Sequence, residues 1–71
     1  MTYVEIETGM RGGEWGYAVH HWDVKWALGE IEDMRYFGEF ENGCGYASEE
    51  SAREAAKRRL TADYGGGWTQ I

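Results

Sequence analysis

One segment of the sequence, residues 48–64, has the period of an amphipathic helix, and this segment most constrains the fold. Ser48 suits the N-cap, two glutamates follow in the first turn, and Gly65 suits the position after the last turn. The apolar residues form a narrow stripe: Ala52, Ala55, Ala56, Leu60 and Tyr64. Small alanines let a helix axis approach a sheet closely, so the stripe favours a helix packed on strands.

The residues before this helix mostly alternate with the period of two that β-strands have. The pattern predicts strands over residues 3–8, 14–22 and 34–41, with a glycine turn over residues 9–13. Residues 23–33 fit either a strand or a helical turn. We favour an extension of the hairpin that ends in an acidic turn.

Three shorter features bear on the same sheet. Asn42-Gly43 is typical of a tight turn. Gly16 and Ala18 leave a shallow strip on the second strand, where a helix could lie close. Residues 68–71 could add a short edge strand or pack as a tail.

These elements predict an α+β fold in one domain, residues 1–71. An antiparallel sheet of three or four strands packs against one long C-terminal helix, at about residues 48–64. A core of this size rarely supplies more than about 3–5 kcal/mol, and the only cysteine, Cys44, cannot form an internal disulfide. Four Trp, five Tyr and two Phe are expected to supply the buried area instead.

The charge is uneven along the chain. The net charge is −6, and residues 1–47 carry all of it, with nine acids and three bases. Proteins that bind nucleic acid contact phosphates mainly through Lys and Arg, so direct nucleic-acid binding is not expected. The acidity is either a solubility device or a face that meets a basic partner.

No catalytic, metal or cofactor site is expected. His20 and His21 are neighbours on a strand, so they point to opposite faces and cannot easily share an ion. Cys44 with a histidine could form a nucleophile and base, but nothing resembles an oxyanion hole. The glycine runs at residues 9–13 and 65–67 match no phosphate-binding motif. These absences favour a binding protein over an enzyme.

The location expected from the sequence is the cytoplasm. The first residues have neither the basic nor the apolar region of a signal peptide, and no stretch approaches the roughly 20 apolar residues of a membrane span. A free thiol fits a reducing compartment.

Four tryptophans are more than so small a core needs, although all four could be buried. Exposed Trp and Tyr side chains rimmed by charge are typical of binding hot spots. The predicted partner-binding residues are Glu30, Glu32, Asp33, Glu39, Glu41, Trp22, Trp26 and Tyr36. The acids would steer association and the aromatic side chains would hold the complex.

The aromatic strand at residues 14–19, followed through a hairpin by residues 45–56, resembles two groups of proteins. One comprises small acidic phage and mobile-element proteins, which include the anti-CRISPRs. That resemblance implies an inhibitor or adaptor, encoded by a phage, that docks on a nucleic-acid-handling protein of the host, such as a CRISPR effector subunit.

The other group is the three-strand-plus-helix DNA-binding module at the N-terminus of phage integrases. That resemblance implies DNA binding through the sheet, but the strands here carry Asp33, Glu39 and Glu41 where Lys and Arg would be needed. A third alternative is a homodimer or larger homo-oligomer that buries its spare aromatic side chains against itself.

Overall fold

The computed structural model describes all residues, Met1–Ile71. In chain order the elements are β1 (Thr2–Arg11), β2 (Glu14–Ala27), β3 (Glu30–Tyr46), α1 (Glu49–Tyr64) and β4 (Trp68–Gln70). The strands form one sheet in the order β3-β2-β1-β4. The predicted α+β class is therefore confirmed.

The sheet is mixed, so the prediction of a purely antiparallel sheet is wrong. β1, β2 and β3 pair antiparallel, but β4 pairs parallel to β1. β3 runs in the same direction as β1, and α1 carries the chain back to where β1 begins. Trp68 therefore lies beside Thr2, and β4 leaves along β1 in the same direction.

The helix begins and ends where its sequence predicts. The Ser48 side chain accepts a hydrogen bond of 3.1 Å from the backbone N–H of Ser51, which is a standard N-cap. Gly65 has a φ of 62°, and its N–H donates to the carbonyl of Thr61 at 2.8 Å. The helix buries four residues: Ala52, Ala55, Ala56 and Leu60.

The core lies between this stripe and one face of β1 and β2. Val4 and Ile6 from β1 and Tyr17 and Val19 from β2 are buried there. The helix therefore covers the face of β2 that carries Tyr17. The prediction that the helix lies close to Gly16 and Ala18 is wrong, because these residues lie on the other face. A Cβ on Gly16 would lie 2.7 Å from the carbonyl oxygen of Gly43, so this glycine is required by the approach of β3.

The Asn42-Gly43 pair is not a turn, because β3 continues through it to Tyr46. Gly43 instead allows the ring of Tyr17 to approach the backbone of β3 closely. A Cβ on Gly43 would lie 2.6 Å from Cε2 of Tyr17, whose ring is buried in the core. The tight-turn prediction at this position is therefore wrong, and the glycine makes room for an aromatic ring.

The hairpin does extend through residues 23–33, but it turns earlier than predicted. Leu28 and Gly29 form the turn, with φ values of 55° and 80°. Two positive φ angles are what a tight two-residue hairpin loop requires. The predicted acidic turn is wrong, since the three acids Glu30, Glu32 and Asp33 lie on β3.

The helix covers only part of the hairpin. Its last residue, Tyr64, lies against the ring of His21, and the strands continue beyond that point. We call residues 22–37 the arm and the helix-covered remainder of the sheet, with α1, the body. No residue of the arm is buried, and the molecule measures 44 × 22 × 17 Å.

Candidate functional site

The arm has one apolar face. Alternation along β2 places Trp22, Val24 and Trp26 on the side of the sheet opposite to α1. We call that side of the sheet the open face, because no element covers it. Each of these residues lies across from an apolar residue of β3, in the pairs Trp22–Tyr36, Val24–Met34 and Trp26–Ile31.

Five ring side chains lie on the open face in two contacting sets, which adjoin where Tyr3 lies across from Trp22. We call them the aromatic cluster: Tyr3, His20, Trp22, Trp26 and Tyr36. The rings of Trp22 and Tyr36 lie 5.3 Å apart, edge to face, and those of Tyr3 and Trp26 lie 6.2 Å apart. Such ring pairs add about 0.5–1.5 kcal/mol beyond the area they bury.

Hydrogen bonds hold this cluster in place. Nε1 of Trp26 donates to the hydroxyl of Tyr3 at 2.8 Å, and Nδ1 of His20 lies 2.9 Å from the hydroxyl of Tyr36. Trp26 and Tyr36 nevertheless remain 50% exposed. Side chains that are both exposed and fixed lose less conformational entropy when a partner binds.

Three carboxylates border the aromatic cluster on the open face. Glu5 and Glu39 flank His20, one from each neighbouring strand. Oε1 of Glu7 lies 3.7 Å from Nε2 of His20. The only Arg or Lys on this face, Arg11, lies at the far turn of β1. The border of the cluster is therefore acidic and carries no Lys or Arg.

The opposite face of the arm carries acids together with both cations of the arm, Lys25 and Arg35, and we call it the charged face. Asp23 lies across from Arg35, and Lys25 lies across from Asp33. Nζ of Lys25 also lies 3.4 Å from Oε2 of Glu32. Asp23, Glu32 and Asp33 therefore each have a cation of the same chain across from them or nearby.

The structure brings together four of the eight residues predicted to bind a partner. Trp22, Trp26 and Tyr36 lie side by side on the open face, and Glu39 borders them. These four define the part of the predicted surface that is a single patch.

The other four predicted residues lie elsewhere. Glu30, Glu32 and Asp33 belong to the charged face or to its edge. Glu41 is only 7% exposed and lies under α1, where Nε of Arg59 is 3.3 Å from its Oε2. These acids are therefore not neighbours of the aromatic cluster, and Glu41 is not a surface residue.

Glu41 and His21 form a buried polar region at the end of the body nearest the arm. Burial and the nearby carboxylate of Asp63 raise the pKa of Glu41, and Arg59 acts in the opposite direction. Burial lowers the pKa of His21, whose ring lies 4.6 Å from that of Phe40. Both residues therefore favour their neutral forms more than they would in water.

A shallow concavity of about 530 Å³ adjoins the aromatic cluster. Gly9, Gly16 and Ala18 line it, and Glu7 and Glu39 border both the concavity and the cluster. The strip formed by Gly16 and Ala18 is thus part of an open depression, and α1 does not pack on it. This depression leaves open space beside the cluster.

Sequence reasoning missed Tyr3, His20, Glu5 and Glu7 as members of this surface. A usable signal existed, because the odd residues of β1 and the even residues of β2 share a face once the two strands pair around Gly12-Gly13. Tracing that register would have placed these four residues on the same face as Trp22.

No family model, curated protein or solved structure matches the chain. No group of three or more His, Cys, Asp and Glu side chains is placed to hold a metal ion. The helix α1 is neither long enough nor apolar enough to cross a membrane.

Proposed function

We propose that the protein is a non-enzymatic inhibitor or adaptor that binds another protein through the open face of its arm. The observation that carries this proposal is the aromatic cluster, which is fixed by hydrogen bonds yet covered by no other element. Tryptophan and tyrosine side chains dominate the energy of many protein interfaces. An exposed apolar patch bordered by charge is typical of such interfaces.

The proposed partner is a basic, nucleic-acid-handling protein of a bacterial host, such as a CRISPR effector subunit. The net charge of −6 and the acidic border of the cluster support a basic partner. The resemblance to small phage inhibitors supports the narrower choice. Such partners act in the cytoplasm, so the proposed location is the cytoplasm of the host.

Binding would proceed in two physical stages. The acidic charge attracts a basic surface over distances of about 10 Å at ordinary ionic strength, which raises the association rate. The aromatic cluster then loses water against the partner and slows dissociation. A protein bound in this way on a basic channel would exclude nucleic acid from it.

A second candidate is self-association through β3. This strand lies at the edge of the sheet and has 17 residues, so one side of its backbone is unpaired along the whole length. Light scattering would detect a dimer. The charge of −6 on each copy opposes this arrangement, so a basic partner is the better supported choice.

The proposal can be tested by affinity capture from bacterial lysate with the tagged protein, followed by mass spectrometry. Trp26→Ala and Tyr36→Ala remove side chains of the open face. Phe37→Ala is the matched control, because its ring contacts Phe40, beside the helix-side residue His21. We expect a nucleic-acid-binding protein to be captured by the wild type and by Phe37→Ala, and lost in the other two variants.

Two results would contradict the proposal. Capture that survives both Trp26→Ala and Tyr36→Ala would show that binding does not use the open face. Equal loss in Phe37→Ala would show that the arm as a whole, and not its open face, is required.

A further inference from the structure

We infer that the open face contains a binding site for an arginine side chain of the partner, formed by the aromatic cluster and the carboxylates of Glu5, Glu7 and Glu39. This inference rests on the proposed function and names what the partner must present. It is carried by three observations: the exposed rings, the uncompensated acids, and the contrast with the charged face.

The rings supply a surface that attracts cations. Trp and Tyr side chains bind a guanidinium placed within about 6 Å of the ring centroid, and Trp does so best. Trp26 and Tyr36 are half exposed on the open face, and Trp22 lies beside Tyr36. A guanidinium between Trp22 and Tyr36 would therefore meet two rings at once.

The carboxylates supply charge that no Lys or Arg of the protein neutralises. Glu5 and Glu39 lie on either side of His20, and Glu7 lies near the same ring. Lys25 and Arg35 of the arm are on the other side of the sheet. A cation bound at the rings would therefore be the first Lys- or Arg-type charge to reach these acids.

The acids of the charged face differ from those of the open face in the cations near them. Asp23, Glu32 and Asp33 on the charged face have a cation of the same chain across from them or within 3.4 Å. A partner cation would compete there with an existing one, and no aromatic cluster lies on that face to hold it. The two faces of one hairpin therefore differ in what they can bind, although both carry acids.

The geometry favours arginine over lysine. A planar guanidinium can lie on a ring and still donate paired hydrogen bonds to a carboxylate at its edge. Rings and acids are neighbours on the open face, so one side chain can reach both. A lysine ammonium is more strongly hydrated and presents no flat surface.

Peptide titration tests this inference on the intact protein. The probes are a short unstructured peptide with two arginines and the same peptide with citrulline, which keeps the shape but lacks the charge. Binding is followed by NMR through the four indole N–H signals. We expect saturable shifts at Trp22 and Trp26, little change at Trp15 and Trp68, and at least about tenfold weaker binding of the citrulline peptide.

Matched charge variants locate the site. Glu39→Gln removes a carboxylate of the open face, and Glu32→Gln removes one from the charged face with the same change in net charge. We expect Glu39→Gln to weaken binding of the arginine peptide severalfold and Glu32→Gln to leave it nearly unchanged. Equal weakening in both would show that only net charge matters, and would overturn the inference.

Three other outcomes would also overturn it, namely equal binding of both peptides, shifts confined to Trp15 or Trp68, or no binding at millimolar peptide. The proposed function would fail differently, through capture from lysate that is insensitive to Trp26→Ala. If capture depends on Trp26 while the two peptides bind equally, the open face binds a partner without recognising arginine.

Discussion

The strand β2 runs through both the body and the arm, but its large apolar side chains lie on opposite faces in the two regions. In the body, Tyr17 and Val19 of β2 point towards the helix and are buried. In the arm, the large apolar side chains of β2 are Trp22, Val24 and Trp26, which point away from the helix side. The apolar positions thus change from one face of the strand to the other at the place where the helix ends.

This change separates the residues that stabilise the fold from those proposed to bind a partner. All ten buried residues lie in the body. The arm is a two-stranded ribbon, and such ribbons are only marginally stable without a surface to pack against. A ribbon with one apolar and one charged face would gain stability if a second protein covered the apolar face. Variants of the body should therefore lower stability, and variants of the open face should lower binding.

The largest expected effect on stability comes from Leu60→Ala. Leu60 is fully buried between α1 and the sheet, so its truncation should cost about 2–5 kcal/mol of unfolding free energy. Trp26→Ala in the arm should cost well under half as much, since half of that side chain is already exposed. Urea unfolding followed by circular dichroism gives both values. Equal losses would break the distinction between body and arm.

A smaller loss of stability is expected for an alanine at Gly16, but not at Gly9, the glycine across from it. Gly16→Ala would place a Cβ 2.7 Å from the carbonyl oxygen of Gly43 and should cost about 1–3 kcal/mol. Gly9, across from Gly16 on β1, has no atom within 4 Å of a new Cβ, so Gly9→Ala should be close to neutral. Thermal unfolding of the two variants checks this. A neutral Gly16→Ala would mean that β3 does not approach β2 this closely.

The tip of the arm should respond in the opposite sense. Leu28 has a φ of 55° and is fully exposed, although a left-handed backbone costs a residue with a Cβ about 1–2 kcal/mol. Leu28→Asn should therefore raise the unfolding free energy by about 0.5–1 kcal/mol, because Asn tolerates this conformation. Differential scanning calorimetry would show the gain. A lower melting temperature would mean that Leu28 stabilises the free protein.

The smallest expected effect is a pH dependence confined to the body. The pKa of His21 is lowered, so as pH falls below its usual 6.5 the unfolded chain takes up the proton first and stability declines. The pKa of Glu41 is raised, so between that value and its usual 4.5 the folded protein holds the extra proton, and stability rises as pH falls.

Two variants separate these contributions in urea unfolding at several pH values. The stability of the wild type relative to His21→Phe should fall as pH drops below about 6.5. Its stability relative to Glu41→Gln should rise as pH drops towards about 4.5. Differences that stay constant with pH would contradict the burial of these groups.

The helix could be predicted from the sequence because its caps and apolar stripe are local signals. Ser48, Gly65 and the alanines act within a few residues of each other, and each lies where predicted. The turn prediction at Asn42-Gly43 failed because the same pair also suits a strand whose glycine lies against Tyr17. Only the position of that ring, set by the whole fold, distinguishes the two.

In the candidate site, the aromatic residues of β2 could be predicted from the sequence, but the acids of β3 could not. Trp22 and Trp26 lie two and six residues past His20 on a regular strand, so period two places them correctly. β3 has irregular register opposite β2, with shifts between Lys25 and Trp26 and between His21 and Trp22. Each shift moves later residues to the other face, so the acids of β3 could not be assigned from alternation alone.

The most direct test of the open face is photo-crosslinking to the captured partner from two adjacent positions. Met34→p-benzoylphenylalanine places the reactive group on the open face, and Arg35→p-benzoylphenylalanine places it on the charged face. We expect a crosslink to the partner from position 34 and none from position 35. A crosslink from position 35 alone, or equal yields from both, would contradict binding through the open face.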